Sequence, residues 1–251
     1  MSYTKILADK DYGNYLIDKC YQDEPFKFHD NNKSYADLKD LIDKRYIDDC
    51  SNYKGKSCIV IGNGGSVIES TKGDEIDKFD LVVRNNLARH EGFEKYVGSR
   101  TDVRFLSHKT FGNELAKSEF SAYDINYIPN SDPQHIFIRS VGNVGSMIPG
   151  FILNYNNEHT FSVLDLHYNF HLDRLASDRH FCTVGFSSVL TMLDLGCEVS
   201  IYGIDFYDTT KKFHYFEENA DRIINSHNHS IKQEQDYINN LVKIGKIKVL
   251  Q

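Results

Sequence analysis

The chain has no tryptophan, only four prolines, and no apolar run long enough to be a signal sequence or a membrane span. Residues 1 to 56 are instead dotted with Asp, Lys and Asn, so the expectation is a cytoplasmic protein without an anchor, in contact with a membrane at most peripherally. A basic surplus is also missing: the formal net charge is −7, which argues against a nucleic-acid partner. The five cysteines, Cys20, Cys50, Cys58, Cys182 and Cys197, are odd in number and show no C-x-x-C pair. They read as buried thiols, not as a disulfide framework or a zinc site. No internal repeat or low-complexity block interrupts the chain, and its excess of Asn, Asp, Lys, Ile and Tyr says more about codon usage than about chemistry.

What is present is an alternation of strands and helices, with enough apolar residues among 251 (40%) for one sizeable core. Short β-branched runs predict strands near 57–62, 80–84, 102–106, 135–138, 161–165, 198–202 and 247–250. Apolar residues at helical spacing predict helices over 35–49, 185–195 and 230–244. This pattern implies an α/β fold: a single Rossmann-like domain with a mostly parallel twisted sheet, helices on both faces, and ligands at the carboxyl ends of the strands. Residues 1–50 read as a variable region packed on the main domain at 51–251. Segments 111–130 and 140–157 lack a period and read equally well as a specificity-bearing loop side or as ordinary packed insertions.

Four short stretches stand out. The strand Ser57-Cys58-Ile59-Val60-Ile61 ends at Gly62-Asn63-Gly64-Gly65-Ser66, a tight loop whose backbone N–H groups are expected to face an anion. A dinucleotide fingerprint would need glycine where Val67 stands, and a phosphate-binding Walker loop would need Gly-Lys-Ser/Thr, so neither applies. Thr183-Val184-Gly185 opens a helix. His214 lies in Lys211-Lys212-Phe213-His214-Tyr215-Phe216, where the lysines read as a solvated face able to add to the local field. His229 precedes Ser230, which with Gln233 has the form of a capping box. The histidine therefore stands at a helix N-terminus, whose dipole disfavours imidazolium and keeps the ring able to accept a proton. Glu234, one turn on, is expected to orient it. On its own such a histidine is more often a solvated or capping residue, and His227 is a rival.

In order along the chain, these stretches resemble the motifs of the animal-type sialyltransferases, glycosyltransferase family 29. Cys58 to Arg104, with Asp80-Leu81-Val82-Val83-Arg84-Asn85-Asn86 and Val97-Gly98-Ser99-Arg100-Thr101, resembles the large motif. Gly185 to Gly203 is similar to the small one, His214-Tyr215-Phe216-Glu217 to the third, and His229 with Glu234 to the very small one. The small motif usually opens with Pro-Ser-Thr-Gly, where this chain has Cys182-Thr183-Val184-Gly185. Relatives bridge a cysteine at the Cys58 position to one in the small motif. Here the aligned residue is Gly196, and Cys197 follows one place later, which by strand alternation argues against the bridge. The tail Ile204-Asp205-Phe206-Tyr207 is similar to bacterial sialyltransferases of another family and suggests a microbial or viral offshoot.

The resemblance implies a sialyltransferase variant of the GT-A type, with residues 51–251 as a CMP-sugar-dependent glycosyltransferase domain. It implies inverting, metal-independent transfer of sialic acid from CMP-sialic acid to an oligosaccharide or glycolipid acceptor, without a cofactor. Asn63, Asn86, Thr183 and Gly185 would hold the cytidine and ribose, and Gly64, Gly65, Ser66 and Tyr207 the phosphate side. His214 would hold the departing phosphate, and His229 would deprotonate the acceptor. The D-x-D metal pattern of many other glycosyltransferases occurs only at Asp9-Lys10-Asp11, in the polar N-terminal region. Transfer from another CMP-ulosonic acid such as CMP-Kdo, or a catalytically silent CMP-binding module, are the alternatives.

Overall fold

The computed structural model describes residues 5–12, 15, 40, 43–107, 133–139, 159–177, 180–208, 210–216 and 229–251. The segments 111–130 and 140–157, together with Cys20 and His227, lie outside the described residues. Two compact units are present: residues 1–50 with 106–169, and 51–105 with 170–251.

The second unit is built on parallel strands. β1 (Ser57–Ile61), β2 (Leu81–Asn85), β3 (Val103–Ser107), β6 (Glu198–Tyr202) and β7 (Lys248–Val249) run in the order β3-β2-β1-β6-β7. The central pairings set Val60 beside Val83 and Ile201, and Ile61 beside Arg84 and Tyr202. All five residues of β2 are buried, as a strand covered on both faces requires. One face, with Ile59, Ile61 and Val82, packs on Ile76 of α1 (Gly73–Ile76) and Val97 of α2 (Glu94–Val97). The alternate residues point to the other face, where α4 (Val184–Asp194) lies across β1, β2 and β6. The last helix, α5 (Ile231–Lys243), precedes the edge strand β7. These elements match the α/β class and the parallel sheet read from the pattern.

Much of the long motif between β1 and β3 is scaffolding. The Arg84 guanidinium is fully buried and donates to Thr101 Oγ1 at 2.9 Å and to the carbonyls of Val97, Gly98 and Arg100 at 2.6, 3.2 and 3.1 Å, which holds the loop before β3. Arg104 donates to the carbonyls of Asn86 and Ala88 at 2.6 and 3.1 Å and so supports the turn that follows β2. Asn86 adopts φ 51° there, a left-handed conformation that asparagine tolerates.

The described cysteines are buried and free, as read from the sequence, but the alternation argument behind that reading needs correction. Cys58 and Cys197 are both free, yet their thiols adjoin. The Cys58 thiol hydrogen-bonds to the Cys197 sulfur, which together with burial raises Cys58 well above its usual range and lowers Cys197. The alternation argument fails because Cys197 precedes the first residue of β6, after a left-handed turn at Gly196 (φ 85°), and so does not follow strand alternation.

The first unit contains the parallel pair β4 (His135–Arg139) and β5 (Thr160–Val163). Tyr46 bridges to Phe161 and Leu7 to Leu164. The helix expected to run to Asp49 has already ended by Tyr46, whose hydroxyl donates to the Ala8 carbonyl at 2.7 Å. A helix that the pattern hid, α3 (Leu166–Ala176), follows β5. Leu166, Tyr168, Phe170 and Leu172 alternate like a strand, but only Tyr168, Leu172 and Ala176 are buried, one helical face, while Leu166 and Phe170 are exposed. Asp165 caps this helix by accepting from the N–H groups of His167 and Tyr168.

His135 gives this unit a pH dependence. Its Nε2 is 2.8 Å from Ser162 Oγ, whose own proton goes to the Ile47 carbonyl, so the ring donates and stays neutral. Burial pushes its pKa down to about 4 from 6.5. The unfolded chain therefore takes up the proton first as pH falls. The contribution is complete above about pH 6.5 and is lost progressively down to about pH 4, amounting to about 3 kcal/mol. Urea unfolding of the wild type and His135→Leu should show a steeper loss for the wild type across that window. Parallel curves would mean that the ring is not neutral and buried as described.

Candidate functional site

At the carboxyl ends of β1, β2 and β6, the second unit opens into a cleft. The β1 loop supplies Gly62, Asn63 and Gly64, and the end of β2 supplies Asn85 and Asn86. The start of α4 supplies Thr183 to Phe186, the loop after β6 supplies residues 203 to 208 and 212 to 214, and α5 supplies Ile231, Glu234 and Ile238. Five stretches of the chain therefore meet at one place, three of them because β1 lies between β2 and β6 in the sheet.

Of the residues singled out from the sequence, Asn63, Gly64, Asn86, Thr183, Gly185, Tyr207 and His214 line this cleft, whereas Gly65, Ser66 and His229 do not. The glycine loop is also not the anion cradle expected of it. The Gly64, Gly65 and Ser66 N–H groups donate to the Gly203 carbonyl at 3.3 Å, the Lys212 carbonyl at 2.9 Å and Asp205 Oδ2 at 2.9 Å. The Ser66 hydroxyl also donates to Asp205. Glycine is needed here for backbone packing: a Cβ at Gly62 would collide with the Gly203 carbonyl, one at Gly64 with Asp205, and one at Gly65 would lie 2.6 Å from Lys212. Gly185 is different. A Cβ there would meet nothing nearer than 3.9 Å, so the fold tolerates a side chain and glycine serves to keep the cleft wall open.

α4 presents its N-terminus to the cleft. Thr183 is its N-cap, with Oγ1 accepting from the Phe186 N–H at 3.1 Å. The same Thr183 donates its backbone N–H to Glu234 Oε1 at 2.9 Å and its hydroxyl proton to Oε2 at 2.6 Å. Its hydroxyl therefore has no proton left for a ligand and at most one lone pair. Glu234, 1% exposed, thus locks α5 onto the start of α4. The remaining orphan N–H groups at this helix end and the positive end of its dipole favour a negatively charged group.

His229 is held instead by a backbone group: its Nδ1 is 2.7 Å from the Phe181 carbonyl. A carbonyl only accepts, so Nδ1 carries the hydrogen, and in the neutral ring the lone pair sits on Nε2. Ser230 is the N-cap of α5, but its side chain makes no capping bond, so the capping box is not formed. His214 is packed in an aromatic file, with ring centroids 4.3 Å from Phe213 and 5.2 Å from Phe216, and Tyr207 stacks on Phe213 at 5.3 Å. Phe206 and Tyr207 both have positive φ, 48° and 57°, a cost that non-glycine residues bear mainly at functional sites. The two lysines separate in role: Lys211 pairs with Glu69, while Lys212 is the one permanent cation among the described lining residues.

Sequence reasoning missed Asn85, Asp205 and the Phe181 carbonyl. Asn85 had a signal, since strand alternation turns it away from Arg84 and toward the helix-covered face; a backbone carbonyl has none. Among the described residues no group of three or more His, Cys, Asp or Glu is placed to hold a metal ion, and no helix is long and apolar enough to cross a membrane.

Comparison with known proteins bears on the family and the fold. The family model for glycosyltransferase family 29 (sialyltransferase) matches residues 12–246. A rat CMP-N-acetylneuraminate-beta-1,4-galactoside alpha-2,3-sialyltransferase is 28% identical over 211 residues, covering 75% of this chain and 55% of that protein. An Arabidopsis thaliana beta-1,6-galactosyltransferase is 49% identical over 51 residues, 20% of this chain and 13% of its own. The chain spans about half the length of the rat relative. A crystal structure of a mammalian sialyltransferase in complex with Gal-beta-1-3GalNAc-ortho-nitrophenol superposes with a TM-score of 0.61 at 18% identity, covering 99% of this chain and 90% of that one, a likeness of fold.

Proposed function

The chain belongs to glycosyltransferase family 29, the sialyltransferase family, and on that premise we propose that it transfers a nonulosonic acid, sialic acid in the first instance, from its CMP derivative to a sugar hydroxyl. The observation that carries this reading is the convergence of motif residues from five separate stretches on one cleft at the strand ends, facing the N-terminus of α4.

The nucleotide lies along Asn63, Asn86 and Gly185. With the glycine-loop amides already bonded, its phosphate faces the start of α4, His214 and Lys212. His229 Nε2 takes the proton of the acceptor hydroxyl as that oxygen bonds to the anomeric carbon. The bond from that carbon to the phosphate oxygen breaks on the opposite face, so the configuration inverts and CMP leaves as a monoester. An oxocarbenium-like transition state needs little nucleophilic force, so positioning and neutralisation of the leaving group carry most of the rate. Lys212, His214 and the helix dipole supply that neutralisation without a divalent cation. The acceptor is an oligosaccharide or glycolipid.

Calorimetry with CMP, UMP and EDTA tests the donor class. CMP is expected to bind, UMP to bind about tenfold more weakly because its base replaces an amino donor by a carbonyl, and EDTA to change neither. A folded protein that ignores CMP, or that prefers UMP, would overturn the reading. The named galactosyltransferase among the relatives makes that control informative.

A further inference from the structure

The end of the second unit opposite the cleft carries a charge pattern of its own. Parallel strands have all their starts at one end, so the residues that lead into β1, β6 and β7 meet there. Lys54 and Lys56 lead into β1, while Lys243 and Lys246 lead from α5 into β7, whose first residue is Lys248. The turns before β1 and β6 touch: the Gly55 N–H donates to the Gly196 carbonyl at 2.8 Å, and the Glu198 N–H to the Lys56 carbonyl at 2.9 Å. Neighbouring strands β1, β6 and β7 at ordinary spacing set these backbones within a strip about 10 Å wide.

Elsewhere in the chain lysines pair with acids, as Lys5 does with Asp9, Lys44 with Asp40, Lys72 with Glu75 and Lys232 with Asp236. Lys54, Lys243, Lys246 and Lys248 are exposed, and none forms an ion pair with a described carboxylate. Lys56 lies over the Tyr53 ring, 5.7 Å from its centroid. The exposed acids on the same turns, Asp194 and Glu198, are fewer than the lysines. A local positive surplus thus stands out in a chain of net charge −7. The dipole of α5 accounts for a cation in its last turn at Lys243, but not for Lys54 or Lys248.

Among these lysines is an apolar side chain that the fold leaves outside. Ile244, the C-cap of α5, is 58% exposed, whereas Ile247, beyond the left-handed turn at Gly245 (φ 72°), is 2% exposed. A soluble polyanion would engage the ammonium groups alone. A bilayer with anionic headgroups engages both, the lysines at headgroup level and the isoleucine at the acyl boundary.

We propose that this end of the second unit is a docking surface for an anionic membrane, with Lys54, Lys56, Lys243, Lys246 and Lys248 surrounding Ile244. The cleft opens at the other end of the strands, away from the docked face. Docking is independent of which ligand the cleft takes.

The test is co-sedimentation of the full chain with vesicles of phosphatidylcholine alone and with vesicles that also contain about one third phosphatidylserine. The wild type is expected to partition onto the anionic vesicles about tenfold or more above the neutral ones, and to lose most of that preference in about 0.5 M salt. Lys246→Glu/Lys248→Glu should weaken binding about tenfold or more. Lys232→Glu, a charge reversal in the first turn of α5, should change it less than about twofold, since it lies more than a screening length away. Ile244→Asn should lower the partition about threefold or more while leaving binding to dextran sulfate, a soluble polyanion, unchanged. A folded wild type that ignores anionic vesicles overturns the proposal without any variant. Equal losses from Lys232→Glu and from the lysine pair overturn it by showing that overall charge decides. An Ile244→Asn protein that binds vesicles like the wild type overturns it as well, in favour of a soluble polyanion.

Discussion

Replacing His229 by alanine is expected to lower turnover by about two to four orders of magnitude, the range for loss of a general base, while CMP affinity changes by less than about twofold. The separation follows from the geometry. His229 is outside the set of residues lining the cleft, and its Nδ1 is committed to the Phe181 carbonyl. The nucleotide therefore loses no contact, whereas the acceptor hydroxyl loses Nε2. The acid limb of the pH profile of kcat, produced by protonation of this ring, should vanish in the variant. Full activity in His229→Ala would remove the residue from the mechanism and shift attention to His214 or His227. Equal losses in binding and turnover would show that it holds the donor.

Glu234→Ala should behave in the opposite way, damaging fold and donor binding together. The buried carboxylate receives two hydrogen bonds from the N-cap residue of α4. Its removal strands the Thr183 N–H and hydroxyl and frees the helix start at which the phosphate is proposed to bind. Hydrogen bonds to charged groups are each worth about 1.5–3 kcal/mol, so the loss of both predicts a destabilisation of about 3–6 kcal/mol, with CMP binding weakened about tenfold or more. Glu234→Gln should be intermediate, since its carbonyl oxygen still accepts one of the two bonds while its NH₂ opposes the other donor. Chemical denaturation with CMP titration gives both quantities. A Glu234→Ala protein with wild-type unfolding midpoint and CMP affinity would show that Thr183 finds its acceptors elsewhere.

The contrast between these variants separates two roles that the H-x-x-x-x-E spacing places on one segment. His229 and Glu234 are five residues apart, yet one side chain bonds to the backbone of residue 181 and the other to residue 183. Both contacts tie α5 to the entry of α4. The spacing therefore serves the junction of two helices as much as it serves a base and its partner. A comparable division appears in the long motif, where Asn63 and Asn86 face the cleft while Arg84 and Arg104 hold loops behind it.

The sequence by itself determined the strands, the parallel α/β class and which stretches meet at the site. Hydrophobic periodicity is local, and β-branched runs such as Cys58-Ile59-Val60-Ile61 and Leu81-Val82-Val83 state their own burial. Where two local patterns competed, as in Leu166 to Leu172, burial of Tyr168, Leu172 and Ala176 settled the matter in favour of helix. Only the tertiary structure decided what each polar group is bonded to. The glycine loop had the composition of an anion cradle, but its amides are taken by Gly203, Asp205 and Lys212, residues about 140 positions away. Glu234 bonds Thr183, 51 positions away, a partner that its place near His229 in sequence did not suggest. A hydrogen bond is directional and short, so its partner depends on how loops from different strands approach, which no spacing along the chain encodes.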